Sequence, residues 1–111
     1  MKPMLARIAG VAALVVALGA CTPEWHIDQI FGPLAGEARS VAFCESTMNP
    51  AAVSPGGGNH GLFQINNVHS TSFVQVTGQP WSMRYDPHWN TVFAKWLYDQ
   101  NGSWRPWTCQ P

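Results

Sequence analysis

Apolar positions along the chain change their period several times, and each change marks a different kind of segment. Residues 8–18 form an uncharged apolar run behind Lys2 and Arg7, and Leu18, Gly19 and Ala20 lead into position 21. A positive start, a short apolar stretch and small residues before a cleavage point have the form of an export signal. The run is far shorter than the about 20 apolar residues a membrane-spanning helix needs. Residues 1–20 are therefore expected to be a signal peptide, residues 21–33 a short helical lead-in, and residues 34–111 the folded domain. In the lead-in, Ile27, Ile30, Phe31 and Leu34 recur at helical spacing until Gly32-Pro33 interrupts them, which predicts about two turns and a bend. Leu34, Ala38, Val41, Ala42 and Glu45 continue at i, i+4, i+7, i+8 and i+11, predicting a helix over 34–45 with Glu45 on or beside its buried stripe.

Turn signals then follow in quick succession at Asn49-Pro50, Ser54-Pro55 and Gly56-Gly57-Gly58-Asn59. Residues 61–66, with apolar Leu62, Phe63 and Ile65, read as a short extended or looped segment. Residues 69–76 predict a further helix, ended by Gly78-Gln79-Pro80. The clearest element comes last: Asp86 is placed as an N-cap with Pro87 at N1, and Trp89, Val92, Phe93, Trp96 and Leu97 repeat at i, i+3, i+4, i+7 and i+8 before Asn101-Gly102. The expected fold is mainly α, with one short loop or β segment after the helix that carries Glu45.

Composition narrows the classes. The chain has 111 residues, 46% hydrophobic and 11% charged, with 6 basic against 6 acidic side chains. Beyond the first twenty positions the basic residues are only Arg39, Arg84, Lys95 and Arg105, too few and scattered for a phosphate-directed surface, so no nucleic-acid partner is expected. Six Trp, five Phe and two Tyr argue against disorder. Leu18-Gly19-Ala20-Cys21 resembles the lipobox of bacterial lipoproteins, which implies cleavage before Cys21, a lipid on that residue and attachment to a membrane through it. The chain would then sit in the cell envelope, on the outer face of the cytoplasmic membrane or on the outer membrane. Simple secretion with Cys21 as an ordinary thiol is the competing expectation. The remaining 91 residues, with 4 basic and 6 acidic groups, form a small domain that a covalent staple would help. Setting Cys21 aside leaves Cys44 and Cys109 as an even pair in an oxidising compartment, 65 positions apart. The other reading of Cys44, as a nucleophile, lacks a His in a recognisable context.

Chemistry can be hung on Glu45. A carboxylic acid held against apolar neighbours keeps its proton towards neutrality and can donate it to a leaving oxygen, as a glycosidase requires; lysozyme is the known pattern. On position alone, a cap or ion pair at a helix end is the competing role. The segment Glu45-Ser46-Thr47-Met48-Asn49-Pro50-Ala51-Ala52-Val53-Ser54, followed 16 residues after the Glu by Gly61-Leu62-Phe63-Gln64-Ile65-Asn66, resembles the catalytic signature of the lysozyme-like lytic transglycosylases. Asp86-Pro87 and Asn90 resemble that superfamily's next helix, and the ending from Trp104 to Cys109 resembles its short, disulfide-bonded members. Two departures stand out: the usual Tyr-Asn-Ala-Gly segment is replaced by Asn101-Gly102-Ser103-Trp104, and His60 precedes Gly61 where a small residue is usual.

The resemblance implies a small lysozyme-like domain that cleaves the β-1,4 bond between N-acetylmuramic acid and N-acetylglucosamine in the glycan strands of peptidoglycan. Glu45 would protonate the glycosidic oxygen and then take the proton of the sugar's own C6 hydroxyl, giving a 1,6-anhydro product without cofactor or metal. It places Ser46, Ser54, Gly61, Leu62, Gln64 and Asn66 at the substrate, with Gly61 allowing close approach of the sugar ring. Tyr98 is a further candidate, directed at Glu45 or simply packed. Trp89 and Trp96 are expected in the core, and Trp104 and Trp107 on a cleft wall. A monomer is expected. Muramidase-type hydrolysis and a non-cleaving peptidoglycan-binding lipoprotein remain as alternatives. Other motifs fail: His26, His60, His69 and His88 lack metal-ligand spacing, the triple glycine lacks the Lys-Ser/Thr of a phosphate loop, and there is no Gly-x-Ser-x-Gly elbow.

Overall fold

Helix boundaries in the computed structural model, which describes residues 22–111, fall where the capping residues put them. Residues 1–20, expected to be a signal peptide, and Cys21 lie outside the described residues. Helix α1 is Pro23–Phe31, opened by the Thr22 side chain, which accepts from the Trp25 N–H, and closed by Gly32 at φ +55°. A 3₁₀ turn, Gly32–Leu34, redirects the chain into α2, Ala35–Ser46. A two-stranded antiparallel hairpin follows, β1 Asn59–His60 on β2 Ile65–Asn66, in the register Asn59 with Asn66 and His60 with Ile65. After the 3₁₀ turn Asn67–His69 come α3, Ser70–Thr77, a 3₁₀ turn at Trp81–Tyr85, and α4, Pro87–Asn101. Asp86 caps α4, accepting from the N–H groups of His88 and Trp89, and Gly102 ends it at φ +66°. The mainly helical fold with one short β segment after α2 is thus the one the periodicity predicts.

The helices pack around one core. Residues 21–33 read as a lead-in, but α1 lies against both α2 and α4, and its Ile27 and Phe31 are buried. Phe31 stacks on Trp104 at 5.4 Å between ring centres and meets Phe63 at 5.6 Å, while Phe73 and Phe93 join α3 to α4 at 5.7 Å. Trp104 is itself core, 4% exposed, with its indole N–H donated to Glu37. The expectation of a cleft wall for Trp104 is corrected accordingly: the last residues have no regular structure, so the indole is free to turn inward, where its large apolar area is best buried. Trp89 and Trp96 are only partly buried, against the rim of the core.

One polar residue fixes the hairpin on α4. Asn90 is fully buried; its Oδ1 accepts from the Phe63 N–H at 2.8 Å, and its Nδ2 donates to the carbonyls of His60 (3.1 Å) and Arg84 (2.8 Å). Gly61, at φ +77°, lies so close that a Cβ there would stand 2.5 Å from Asn90 Nδ2 and 2.7 Å from the Arg84 oxygen. The unusual His60 is buried too, its ring nitrogens 2.7 Å from the Tyr85 hydroxyl and 2.6 Å from Asn67 Oδ1.

Candidate active site

Glu45 occupies the last turn of α2, half-buried, because the helical period carries the buried stripe of Ala38, Val41 and Ala42 on to its position. The helix stops one residue later, where Thr47 takes a left-handed conformation at φ 54° and Met48 repeats it at φ 62°. Gln64 is the third non-glycine residue at positive φ among the described residues, 51°, and it sits across from Glu45 in the hairpin turn. Such conformations cost about 1–3 kcal/mol each and collect where surrounding structure over-determines them. Here the surroundings are hydrogen bonds. The Ser46 hydroxyl lies 2.8 Å from the Leu62 carbonyl and 3.0 Å from that of Ala42, and it accepts from the Asn49 N–H. The Gln64 amide donates to the carbonyls of Ala52 and Gly61.

Two cavities open on Glu45. One, of about 370 Å³, is lined by Glu45, Gln64, Asn59, Asn66, His69, Leu97 and the C-terminal residues Pro106, Trp107 and Thr108. The other, of about 630 Å³, is lined by Glu45, Gln64 and the loop that bears Ser46, Asn49 and Ser54. Glu45 and Gln64 belong to both, so the two cavities meet at the carboxyl and together form one furrow. Among the described residues no other carboxylate lines either cavity. Asp28 is paired with Arg39, Asp99 with Lys95 at 2.7 Å, Asp86 caps α4, and Glu37 receives the Trp104 indole N–H. The Arg39 guanidinium holds the Asp28 carboxyl below its usual range, chiefly through their hydrogen bond. Among the described residues no cation pairs with Glu45; its Oε2 accepts from the backbone N–H of Cys109 at 3.1 Å. Cys44 and Cys109 are joined as a disulfide, which brings the C-terminus to this end of α2.

The structure sorts the remaining sequence-selected residues by what they touch. Gln64 and Asn66 face the smaller cavity, and Asn66 also caps the 3₁₀ turn by accepting from Val68 N–H. Ser46 and Ser54 line the larger cavity, yet their hydroxyls serve backbone: Ser46 clips α2 to the hairpin, and Ser54 Oγ accepts from Asn59 N–H. The substrate contacts expected of Leu62 and Gly61 are corrected. Leu62 is fully buried, and the close approach Gly61 permits is to Asn90 and Arg84, where no side chain fits, rather than to a sugar. Tyr98 is packed on Trp104 at 4.8 Å and lines neither cavity. Trp107 meets its expectation in part: its edge lines the smaller cavity while its indole N–H donates to the Phe63 carbonyl.

His69 was not selected from sequence, and it lines the smaller cavity beside Gln64 with its ring 5.5 Å from Phe93. Burial holds its imidazole below the ordinary value of 6.5, so it is neutral at physiological pH. The available signal was its place at the foot of α3, three residues after Asn66. A family model of the lysozyme-like domain matches residues 32–109, from the bend before α2 to the disulfide.

The chain belongs to the lysozyme-like domain family. Comparison with curated proteins and with solved structures finds no match. The match covers α2, the hairpin, α3, α4 and the tryptophan-rich end, and so every residue that lines the furrow of this lysozyme-like domain. Members of the family are generally glycosidases or transglycosylases, and membership gives the domain a peptidoglycan-related glycosidase character.

Proposed function

We propose that this lysozyme-like domain cleaves the β-1,4 bond between N-acetylmuramic acid and N-acetylglucosamine in peptidoglycan, as a lytic transglycosylase. The observation that carries the reading is the position of Glu45: it is the carboxylate common to two cavities, and among the described residues neither cavity is lined by a second acid. A glycosidase that works with two carboxylates needs them roughly 5–10 Å apart across the bond. With one, the same group does both proton transfers. Glu45 gives its proton to the glycosidic oxygen as the bond from C1 breaks; the sugar's C6 hydroxyl then closes on C1 and returns a proton to Glu45. No water is consumed, and the product carries a 1,6-anhydro ring. Gln64 and Asn66, with the neutral His69, present hydrogen-bonding groups along one arm of the furrow, and the loop of Asn49 and Ser54 lines the other.

We infer further that the domain works in the cell envelope, tethered by a lipid on Cys21. The support is the sequence of residues 1–21, together with a first helix that begins at Pro23 and leaves little slack. Among the described residues no helix is long and apolar enough to cross a membrane.

Mass spectrometry of peptidoglycan digested with the protein tests the activity. Anhydro-muropeptides are expected; reducing ends in their place identify a hydrolase, and binding to sacculi without release identifies a binder. In Glu45→Gln the amide keeps the shape and cannot shuttle a proton, so release should fall at least about a hundredfold while binding to sacculi persists.

A further inference from the structure

Glu45 is a long side chain at a helix end, and it must hold one carboxyl oxygen at the scissile bond through two successive proton transfers. Among the described residues no side chain hydrogen-bonds to it or forms an ion pair with it; the one group that engages its carboxyl is the backbone N–H of Cys109, 3.1 Å from Oε2. That N–H is delivered from 64 residues away in the chain. The disulfide delivers it: Cys109 is bonded to Cys44, the residue before Glu45, with 6.0 Å between their Cα atoms.

The rest of the C-terminal strap is anchored on its own account. The Trp104 indole N–H is donated to Glu37 and that of Trp107 to the Phe63 carbonyl, and the Gln110 amide reaches back to the carbonyls of Trp104 and Trp107. The wall of the smaller cavity at Pro106 and Trp107 thus has supports besides the disulfide. Cys109 itself is tied to the residue beside Glu45 by the disulfide, and the Gln110 amide also donates to its carbonyl at 3.3 Å.

We propose that the Cys109 backbone N–H, locked in place by the bond to Cys44, is the positioning group of Glu45: it occupies Oε2 and reserves Oε1 for proton exchange with the glycan. In a protonated carboxyl the carbonyl oxygen is the stronger acceptor, so an N–H bonded to one oxygen favours the proton on the other. The glycosidic oxygen receives its proton from Oε1, and the C6 hydroxyl returns one to the same atom. This inference rests on the reading of Glu45 as acid and base. It adds which oxygen acts and what aims it.

The decisive variant carries the α-hydroxy analogue of cysteine at position 109, installed by cell-free translation, so that an ester oxygen replaces the N–H while the disulfide stays intact. With sacculi as substrate, kcat is expected to fall about ten- to a hundredfold with KM within about twofold, the signature of a misaimed reacting group. A purely structural strap predicts no change in the ester variant, and unchanged kcat overturns the proposal. Amide hydrogen exchange reads the contact without any assay of activity. The Cys109 amide is expected to be protected in the wild type and to lose protection in Glu45→Ala while core amides keep theirs; an amide exchanging freely in the wild type overturns the proposal. The two readings fail differently. A wild type that releases no glycan fragments, with the amide still protected, removes the proposed function and the positioning role along with it. A wild type and an ester variant that cleave equally fast remove the positioning role alone.

Discussion

Asn90 shows what a single residue decides in this domain. It is polar, wholly inaccessible and fully hydrogen-bonded, joining α4 to the Phe63 N–H and to the carbonyls of His60 and Arg84. Removing it would leave two buried backbone groups and the part-buried Arg84 carbonyl short of this partner, at about 1–3 kcal/mol for each buried group, so Asn90→Ala should lower unfolding stability by about 3–4 kcal/mol in denaturant titration. The hairpin turn that carries Gln64 would loosen with it. The sequence marked Asn90 as part of a motif, but not this bond set, because its partners lie 27 and 30 residues back in the chain and six residues back. Gly61 teaches the same lesson. A glycine in a catalytic segment suggests room for a ligand, and the room is filled by Asn90.

Elements follow local rules more faithfully. Asp86 was legible as the N-cap of α4 because a short acceptor followed by Pro and an apolar period needs no tertiary context. Asp86→Ala loses the acceptor for two helix N–H groups and should cost about 1 kcal/mol, read as a lower thermal midpoint. The contact between α1 and α4 carries a pH dependence. His26 on α1 meets His88 on α4 with ring centres 5.6 Å apart, beside Trp25, and its Nδ1 is buried without a hydrogen-bond partner among the described residues. Burial holds its imidazole below the ordinary 6.5, the neighbouring His88 pushes the same way, and Asp86 opposes them. The folded state therefore binds fewer protons than the unfolded chain around that pH. The resulting stability is present above 6.5 and is lost as pH falls through it towards the lowered folded value. Thermal midpoints should decline from about pH 7 to about pH 5, and His26→Phe should flatten that decline.

For the whole molecule the disulfide is the covalent long-range constraint. It joins residues 65 apart and closes almost the entire domain from α2 onwards. In the chain-entropy model such a loop is worth roughly 4 kcal/mol, a large share of the about 5–15 kcal/mol typical of a domain. Replacing both Cys44 and Cys109 by Ser should lower the thermal midpoint by roughly 15–30 °C, measured by circular dichroism. The same bond brings Thr108 and its neighbours to the furrow. A domain of this size thereby encloses an acid between two cavities without adding another element.

The sequence by itself determined the helical periods, the Asp86 cap of α4, the identity of the disulfide pair and, through its motif, Glu45 as the acid to watch, because period, capping, counting and a local motif act within a few residues or need no distance at all. Only the tertiary structure decided which motif residues face the furrow. Gln64 and Asn66 reach it; Leu62 is core, Tyr98 packs on Trp104, and the serine hydroxyls are engaged by backbone. It also decided that His69 and the Cys109 N–H stand beside the acid's cleft. The physical reason is the same in each case: a side chain's partners are chosen by packing between segments distant in the chain, and no local pattern encodes which surface a turn or a tail will meet.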